Sequence, residues 1–393
     1  MNIFIKVFIA SLFIYASIGM FTTQAATVRV ATFNVSMEAL NYLPANTKPS
    51  GHELAQALRS NHQQIKNIAE IIQRVNPDII LLNEFDGNDN QHQALKQFLQ
   101  HYLAKSQNGQ AAINYPYFYQ GPVNTGVATG YSLKQENTTG TLPNDAYGYG
   151  HFSGHFAMTL LSKHPINHDK VRTFQHFKWR DMPNALKPID PENQKPWYTE
   201  HAWQNFRLSS KSHWDIPITI NGDTLHILAS HPTPPVFDGP EDRNGKRNFD
   251  EIRFWIDYLT PSKSAYIYDD NRQFGGLSQD QAFIILGDLN ADAVDGDAIK
   301  AGIQGLLNHP RVLDPKPLSI AGKMQRPDNP NAQYHTAYWG LRADYVLPAK
   351  KQLNVLNSGI FWPTSNEESY KLIKDRAASS DHRLVWVDVA FSQ

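Results

Sequence analysis

The stretch "AFIILGDLNAD" (282–292) decides the fold of this chain. Its first five residues are apolar, as in a strand buried on both faces, and the run ends abruptly at Gly287 and Asp288. A carboxylate and an amide at the end of a core strand are costly to bury unless other groups pair with them. The sequence therefore predicts that Asp288 and Asn290 meet polar side chains carried by other strands.

Segments on either side of this strand show related patterns. Apolar runs, alternating or continuous, predict strands at 28–35, 78–84, 156–162, 216–220, 224–230, 342–348 and 383–391. Apolar residues at helical spacing predict helices at 61–75, with Asn61 as the N-cap, and at 248–259. Many strands and few helices in mixed order favour an α+β fold, an α/β sandwich of two packed β-sheets flanked by helices, over a single doubly wound sheet.

One domain is predicted for residues 27–393, because no clear linker or internal repeat divides them. With 393 residues and 41% hydrophobic composition, the chain can bury a large core. Two irregular stretches, at about 87–153 and 172–215, are interpreted as insertions that lie over the surface of this domain.

Residues 1–26 are predicted to form a secretory signal peptide. Lys6 is their only charge, and the apolar run "VFIASLFIYASIGMF" is followed by small residues in "TTQAA". Cleavage is expected near Ala25 or Ala26, which would leave a secreted or periplasmic protein with no stable membrane span. The alternative is an uncleaved N-terminal anchor, since the run approaches the length that crosses a bilayer.

Composition excludes several classes of function. The chain has 36 Lys and Arg against 37 Asp and Glu, a net charge of −1, and so lacks the basic excess of a dedicated DNA-binding protein. A phosphate substrate is still compatible with this balance, because a local cluster or a metal ion can supply positive charge. With 0 cysteines, disulfides, thiol catalysis and cysteine-ligated zinc are excluded.

Polar residues of metal-ligand or acid–base type stand at the ends of most predicted strands. They are Asn34, Glu84, His231, Asp288, Asn290, Asp344, Asp381 and His382. Any one of them alone is more often a solvated or capping group than a catalyst. So many in one chain indicate a functional site if the strands that carry them are neighbours.

This ordered set resembles the endonuclease/exonuclease/phosphatase superfamily, the DNase I-like group of phosphoester hydrolases. The most specific matches are "GDLNAD" (287–292) and the near-terminal "SDH" (380–382), and the motifs together extend from about residue 28 to residue 390. The resemblance implies a four-layer sandwich of two mixed sheets and a secreted, divalent-metal-dependent phosphoesterase. The two insertions depart from the shared pattern and leave the substrate open.

The resemblance also implies which residues would bind a metal ion. Glu84, Asn34 and Asp381 would hold Mg²⁺, with Mn²⁺ or Ca²⁺ as alternatives, because hard cations prefer oxygen ligands. Asp288 and Asn290 would lie at the scissile phosphate. Asp288 would orient or deprotonate the attacking water, and the Asn290 amide would donate to a phosphoryl oxygen.

Histidines and basic residues take the remaining roles that the resemblance implies. His231 and His382 would divide the acid and base roles, in an order that stays open, and Asp344 would orient His382. A basic residue of the segment "RLSSKSHWD" is expected at the phosphate, with Lys211 as the first candidate and Arg207 as the second.

The leading hypothesis is hydrolysis of phosphodiester bonds by in-line attack of water, in a monomeric nuclease or related phosphodiesterase. One alternative is a phosphomonoesterase acting on a small phosphoester such as an inositol phosphate. Another is a non-catalytic surface protein that binds a ligand on the same fold through exposed aromatics, drawn from Trp179, Trp197, Trp203 and Trp214. A glycosidase built on Glu84 and Asp288 would leave both histidines without a role.

Overall fold

The computed structural model describes residues 27–87 and 91–392, so the predicted signal peptide lies outside the described residues. The strands are β1 (Val28–Met37), β2 (Ile79–Phe85), β3 (Tyr117–Tyr119), β4 (Met158–Ser162), β5 (Arg172–Thr173), β6 (His213–Ile220), β7 (Asp223–Ser230), β8 (Ala282–Asp288), β9 (Asp344–Pro348), β10 (Leu353–Ile360) and β11 (Val385–Phe391). The α-helices are α1 (Glu53–Arg59), α2 (Gln63–Val75), α3 (Gln93–Phe98), α4 (Glu200–Asn205), α5 (Arg243–Tyr258), α6 (Lys300–Leu307) and α7 (Ile320–Gln325). No helix in these ranges is long and apolar enough to cross a membrane.

The strands form two sheets of mixed direction. The first has six strands in the order β10-β11-β1-β2-β4-β3, and the second has five in the order β5-β6-β7-β8-β9. Within the first sheet β1 and β2 are parallel, and within the second β7 and β8 are parallel, while their other neighbours run antiparallel. The predicted fold class is therefore confirmed, and each strand predicted from the sequence is present with small shifts at its ends.

The two sheets pack face to face, and helices cover their outer faces. Along β1, Val28 and Val30 belong to the core shared with the second sheet, whereas Ala31 and Phe33 belong to the core beneath α2. This division follows the two-residue period of a strand. Because such residues are fully buried, each large apolar side chain contributes about 1.5–3 kcal/mol to stability.

Both predicted helices exist, but their starts differ from the prediction. The first begins at Gln63, and its N-cap is His62 rather than Asn61, whose φ of 56° places it in a left-handed turn before the helix. The second is α5, which begins five residues earlier than the predicted start at residue 248. Its first turn is polar, so hydrophobic spacing does not reveal it.

The two stretches interpreted as insertions contain regular elements of their own. The first includes α3 and the edge strand β3, and the second includes β5 and α4. The second also sends Trp179, Trp203 and Trp214 into the core, with Trp197 half-buried. Trp179, Trp203 and Trp214 are therefore not exposed as the surface-binding alternative would need, because their rings belong to the hydrophobic core.

Candidate active site

Strand direction brings the polar strand ends to one edge of the sandwich. β1 and β2 are parallel, and Asn34 lies beside Asn83 at their carboxyl ends. β8 and β9 are antiparallel, and the last residue of β8, Asp288, lies opposite the first residue of β9, Asp344. The face-to-face packing of the two sheets then places these four residues in one region.

Gly287 explains how the end of β8 approaches its neighbour so closely. Its φ is 149°, a conformation that side chains disfavour, and a Cβ atom there would overlap the carbonyl oxygen of Ser230. The glycine in "GDLN" therefore allows the strand end to lie directly against β7, next to His231.

The Asp288 carboxylate is the focus of the site. Its Oδ2 atom lies 3.0 Å from Nδ2 of Asn34, 3.4 Å from Nε2 of His231 and 3.5 Å from Nε2 of His382. Its Oδ1 atom accepts a 3.0 Å hydrogen bond from the backbone N–H of Asn290. Burial alone would raise the pKa of Asp288, but the two histidines and Asn34 lower it below its ordinary value. Asp288 is therefore an ionised carboxylate surrounded by donors.

His382 is held as a cation by a chain of hydrogen bonds. Its Nδ1 lies 2.9 Å from Oδ2 of Asp344, and the same oxygen accepts a 2.7 Å bond from the Thr336 hydroxyl. Burial alone would lower the pKa of His382, but Asp344 and Asp288 raise it well above the ordinary value. The imidazole is therefore protonated at neutral pH and presents Nε2–H to Asp288.

His231 has the opposite charge state. Burial and the nearby Lys211 cation lower the pKa of His231 to about 4, against the smaller effect of Asp288. The ring is therefore neutral at neutral pH. Its Nε2 faces Asp288, while its Nδ1 has no hydrogen-bond partner among the described residues. The two histidines predicted to share acid and base roles thus differ in charge.

Glu84 is turned into the site by its backbone. Strand alternation would point its side chain toward the helix-covered face, but its φ of 55° breaks the alternation at the end of β2, and Asn34, His382 and Lys211 act on its carboxylate. Burial raises the pKa of Glu84 to about 7, and Glu38 adds to this, against the effect of His382. Left-handed backbone at a non-glycine residue is strained and concentrates at functional sites.

Asn290 and Asp381 occupy the rim of the site. Asn290 has a φ of 51°, and its amide donates a 3.1 Å hydrogen bond to the carbonyl oxygen of Pro232. Asp381 accepts a 3.4 Å hydrogen bond from Ser36, whose backbone N–H donates to Oδ1 of Asn34. Asp381 is thus linked to Asn34 through one residue.

The two basic candidates differ in position. Lys211 is buried, and Glu251, Glu84 and Asp288 act on it electrostatically, although burial lowers its pKa overall. None of the ion pairs in the described part of the chain involves Lys211. Lys211 therefore lies within the electrostatic field of the site and has no ion-pair partner among the described residues.

Arg207, the second candidate, does not reach the site. Its guanidinium donates a 2.6 Å hydrogen bond to Oδ1 of Asn124 and stacks 4.0 Å from the ring centroid of Tyr147. These contacts belong to the packing of the two insertions. The expectation that Arg207 binds substrate is therefore not supported by its position.

Three residues of the site were not predicted from the sequence. Thr336 supports Asp344 and also accepts the backbone N–H groups of Ala343 and Asp344, both at 3.0 Å. Asn83 accepts a 3.3 Å bond from the backbone N–H of Asp288, and Trp339 lies edge-on to the His382 ring at 4.8 Å. Asn83 had a usable signal, since it precedes Glu84 at the same strand end.

The residues predicted to bind a metal fit a hard divalent cation. Glu84, Asn34 and Asp381 offer only oxygen ligands, which suits Mg²⁺. Burial and the nearby Glu38 raise the pKa of Glu84, and a cation there would hold its carboxylate ionised. Asp288, Asp344 and His382 also present ligand atoms within 4.8 Å of one another, but these three already compensate each other's charge.

The profile of the endonuclease/exonuclease/phosphatase family matches residues 31–382. The chain belongs to this family. The match extends from β1 to His382 and so includes every strand end that contributes to the site. No curated protein sequence matches the chain.

Several solved structures of low sequence identity are similar to this family member. An endonuclease/exonuclease/phosphatase from Beutenbergia cavernae is 15% identical, with a TM-score of 0.51 over 93% of this chain and 72% of its own. Beta toxin from Staphylococcus aureus, solved with bound magnesium ions, is 17% identical, with a TM-score of 0.44 over 94% of this chain and 100% of its own. Sphingomyelinase C from Streptomyces griseocarneus is 16% identical, with a TM-score of 0.44 over 92% and 99%. At these identities the likeness concerns the fold alone.

Proposed function

We propose that this family member is a secreted phosphoesterase that hydrolyses phosphodiester bonds by in-line attack of water, with the help of a divalent cation. The observation that carries the proposal is the convergence of Asn34, His231 and His382 on one oxygen of Asp288. An ionised carboxylate ringed by donors can orient a water molecule, while the same donors can meet the oxygens of a phosphate.

Asp288 is assigned to the attacking water, and Asn290 is assigned to the phosphate. Asp288 is ionised, so it accepts a hydrogen bond from the water and receives its proton as the oxygen–phosphorus bond forms. The Asn290 side-chain amide lies beside it on the rim and would donate to a phosphoryl oxygen. The bond from phosphorus to the leaving oxygen breaks on the opposite side of the phosphorus atom.

The charge states of the histidines decide which of them supports the phosphate. His382 is a cation oriented by Asp344, so it stabilises negative charge on the phosphoryl oxygens and cannot act as the initial base. His231 is neutral and can donate one N–H to substrate. Lys211 adds a second positive charge in the same region.

Glu84, Asn34 and Asp381 are the residues proposed to hold the cation, with Mg²⁺ as the preferred ion. When bound, the cation would neutralise charge on the phosphate and on the leaving oxygen. Asn34 links the two halves of the site, because its side chain donates a hydrogen bond to Asp288 and acts on the nearby Glu84 carboxylate.

The test is hydrolysis of a substrate panel by the purified mature protein. Bis(p-nitrophenyl) phosphate, p-nitrophenyl phosphate, plasmid DNA, RNA and a phospholipid are each assayed with Mg²⁺ and with excess EDTA. The proposal expects EDTA-sensitive hydrolysis that favours diesters. Faster turnover of the monoester would indicate a phosphatase instead, and no hydrolysis of any member would refute the enzyme.

Secretion is tested separately, because it rests on residues 1–26. The chain is expressed with its own N-terminus, and the exported fraction is analysed by intact mass. A mature N-terminus at residue 26 or 27 is expected. Retention of the full-length chain in the membrane fraction would indicate the uncleaved anchor.

A further inference from the structure

We propose that Asp292, Asp295 and His335 form a second divalent-cation site of the zinc type, separate from the active site. The three side chains offer ligand atoms that all lie within 4.8 Å of one another. The inference does not rest on the proposed hydrolysis, because it concerns binding of a metal ion by residues that have no part in that reaction.

His335 is the observation that points to a ligand. Its side chain is 1% exposed, yet neither ring nitrogen has a hydrogen-bond partner among the described residues. Buried polar groups are almost always satisfied by protein, water or an ion. Oδ2 of Asp295 lies 3.5 Å from its Nε2, which is an electrostatic contact rather than a hydrogen bond.

Asp292 is a buried carboxylate whose position is fixed by the backbone. Its Oδ1 accepts the N–H groups of Val294 at 2.8 Å and Asp295 at 3.0 Å, and its Oδ2 accepts the N–H of Arg342 at 2.7 Å. These bonds hold the two oxygens in place but supply no full positive charge. No ion pair in the described residues involves Asp292, although the Arg342 guanidinium acts on it electrostatically.

Asp295 completes the group and leaves it open to solvent. Its side chain is 30% exposed, and its Oδ2 also accepts a 3.1 Å hydrogen bond from the Asn329 amide. The nearby Lys300 ammonium bonds the carbonyl oxygens of Asp295 and Gly296. The Lys300 cation is therefore bound to the loop backbone. Because one edge of Asp295 is exposed, an ion can reach the cluster from solvent.

The donor set decides the class of ion. Two carboxylates and one imidazole suit zinc and related transition metals, with water in the remaining position. Calcium and magnesium prefer oxygen ligands throughout. Zinc is therefore the ion expected to bind most tightly, and Mg²⁺ is expected to compete poorly.

The site would join two segments that frame the active centre. Asp292 and Asp295 lie on the loop that follows Asn290, and His335 precedes Thr336, which supports Asp344. A bound ion would tie these segments together without touching the substrate. A bound ion is therefore expected to order the loop and to raise the thermal stability of the protein.

The test is zinc binding by the full mature chain with the active-site cluster disabled. The His382→Gln protein is stripped with chelator, dialysed against Zn²⁺ in excess Mg²⁺, and its zinc content is measured by mass spectrometry. Asp295→Asn is then added, because this side chain is partly exposed and asparagine preserves its shape. Asp297→Asn, an exposed aspartate two residues away, is the matched control.

One zinc equivalent per chain is expected in the parent and in the Asp297→Asn control, with a rise in melting temperature on adding Zn²⁺. Asp295→Asn is expected to weaken zinc binding at least tenfold and to abolish that rise. His335→Gln should do the same if it folds, and Asp295→Asn decides the matter if it does not. Equal zinc content and equal stabilisation in Asp295→Asn and the control would overturn the proposal.

Discussion

Two groups, each of two aspartates and one histidine, lie near the loop that follows β8. They differ in how the charges of their members are compensated. In the active-site group, Asp288, Asp344 and His382, every member has a charged or hydrogen-bonding partner within the group. In the second group, Asp292, Asp295 and His335, the histidine has no hydrogen bond among the described residues. The same residue types therefore form a self-compensating centre in one place and an incomplete one in the other.

The difference shows how support from neighbours decides the chemistry of a cluster. Thr336 and Asp344 fix His382 as an oriented cation before any ligand arrives. This preorganisation is what stabilisation of a developing negative charge requires. The second group has carboxylates held by hydrogen bonds and a histidine without one among the described residues, an arrangement that a bound cation would complete.

The largest expected effect comes from removing the charge at the focus of the first group. Asp288→Asn keeps the shape of the side chain but removes the acceptor for the proton of water. We expect kcat for the diester to fall by about 10³-fold or more, in the range found for removal of a catalytic base. Asp292→Asn is unsuitable as a control because it caps a turn, so Asp297→Asn is used. Retention of a tenth of the wild-type rate by Asp288→Asn would contradict the assignment.

His213, a third buried histidine, extends the comparison, because its ring is neutral and both of its nitrogens have hydrogen-bond partners. His213 contacts the Ser209 hydroxyl at 2.6 Å and the Glu251 carbonyl at 2.8 Å, and burial lowers its pKa to about 4. In the unfolded chain a histidine has a pKa of about 6.5, so acid favours the unfolded state as pH falls from about 6.5 toward 4. The expected loss is up to about 3 kcal/mol at the acid end.

This effect is measured by urea unfolding between pH 7 and pH 4.5. The wild type should lose stability more steeply than His213→Gln as the pH falls, since only the wild type must keep this imidazole neutral. Parallel pH profiles for the two proteins would show that His213 does not contribute in this way.

The lysines beside the two groups offer a further contrast. Lys211 lies in the field of Glu84 and Asp288 without a fixed anion, whereas Lys300 is bonded to backbone carbonyls. Lys211→Met should raise KM for the diester about tenfold, because one charge-assisted contact to phosphate is lost. Steady-state kinetics test this, with Arg207→Met and Lys300→Met as controls that leave KM unchanged. An equal rise in all three variants would argue against a specific phosphate contact.

The remaining prediction concerns Thr336, the residue that supports Asp344 in the first group. Thr336→Val removes the hydroxyl that bonds Asp344 and keeps the volume of the side chain. We expect kcat to fall about tenfold with KM unchanged. A net hydrogen bond to a charged group is worth about 1.5–3 kcal/mol, and the loss is only part of this because Asp344 keeps its contact with His382. Thr336→Ser should restore the rate. A uniform loss in both variants would indicate a merely structural role.

Much of the site could be predicted because strand ends and strand direction are both encoded locally. Asp288 and Asp344 stand at the end and the start of apolar runs, so their meeting follows once the two strands pair antiparallel. Glu84 was found in the same way, although the left-handed backbone that turns it into the site has no signature in its sequence.

Residues on irregular segments could not be placed from the sequence. Thr336 and His335 lie between α7 and β9, where no periodicity says which side chains face the core. The position of Arg207 near β6 along the chain likewise does not reveal that its guanidinium stacks on Tyr147. The N-cap of α2 shifted by one residue for a similar reason, since a left-handed turn at Asn61 precedes the helix.

The most direct test of the central claim compares two histidines that each pair with an aspartate. His382 pairs with Asp344 at the strand ends, and His226 pairs with Asp215 at 2.6 Å within the second sheet. The measurement is kcat/KM for bis(p-nitrophenyl) phosphate with Mg²⁺ in His382→Gln and His226→Gln. We predict a loss of about 10³-fold for His382→Gln and less than threefold for His226→Gln, since only His382 faces the phosphate. Comparable rates in the two variants would contradict the account.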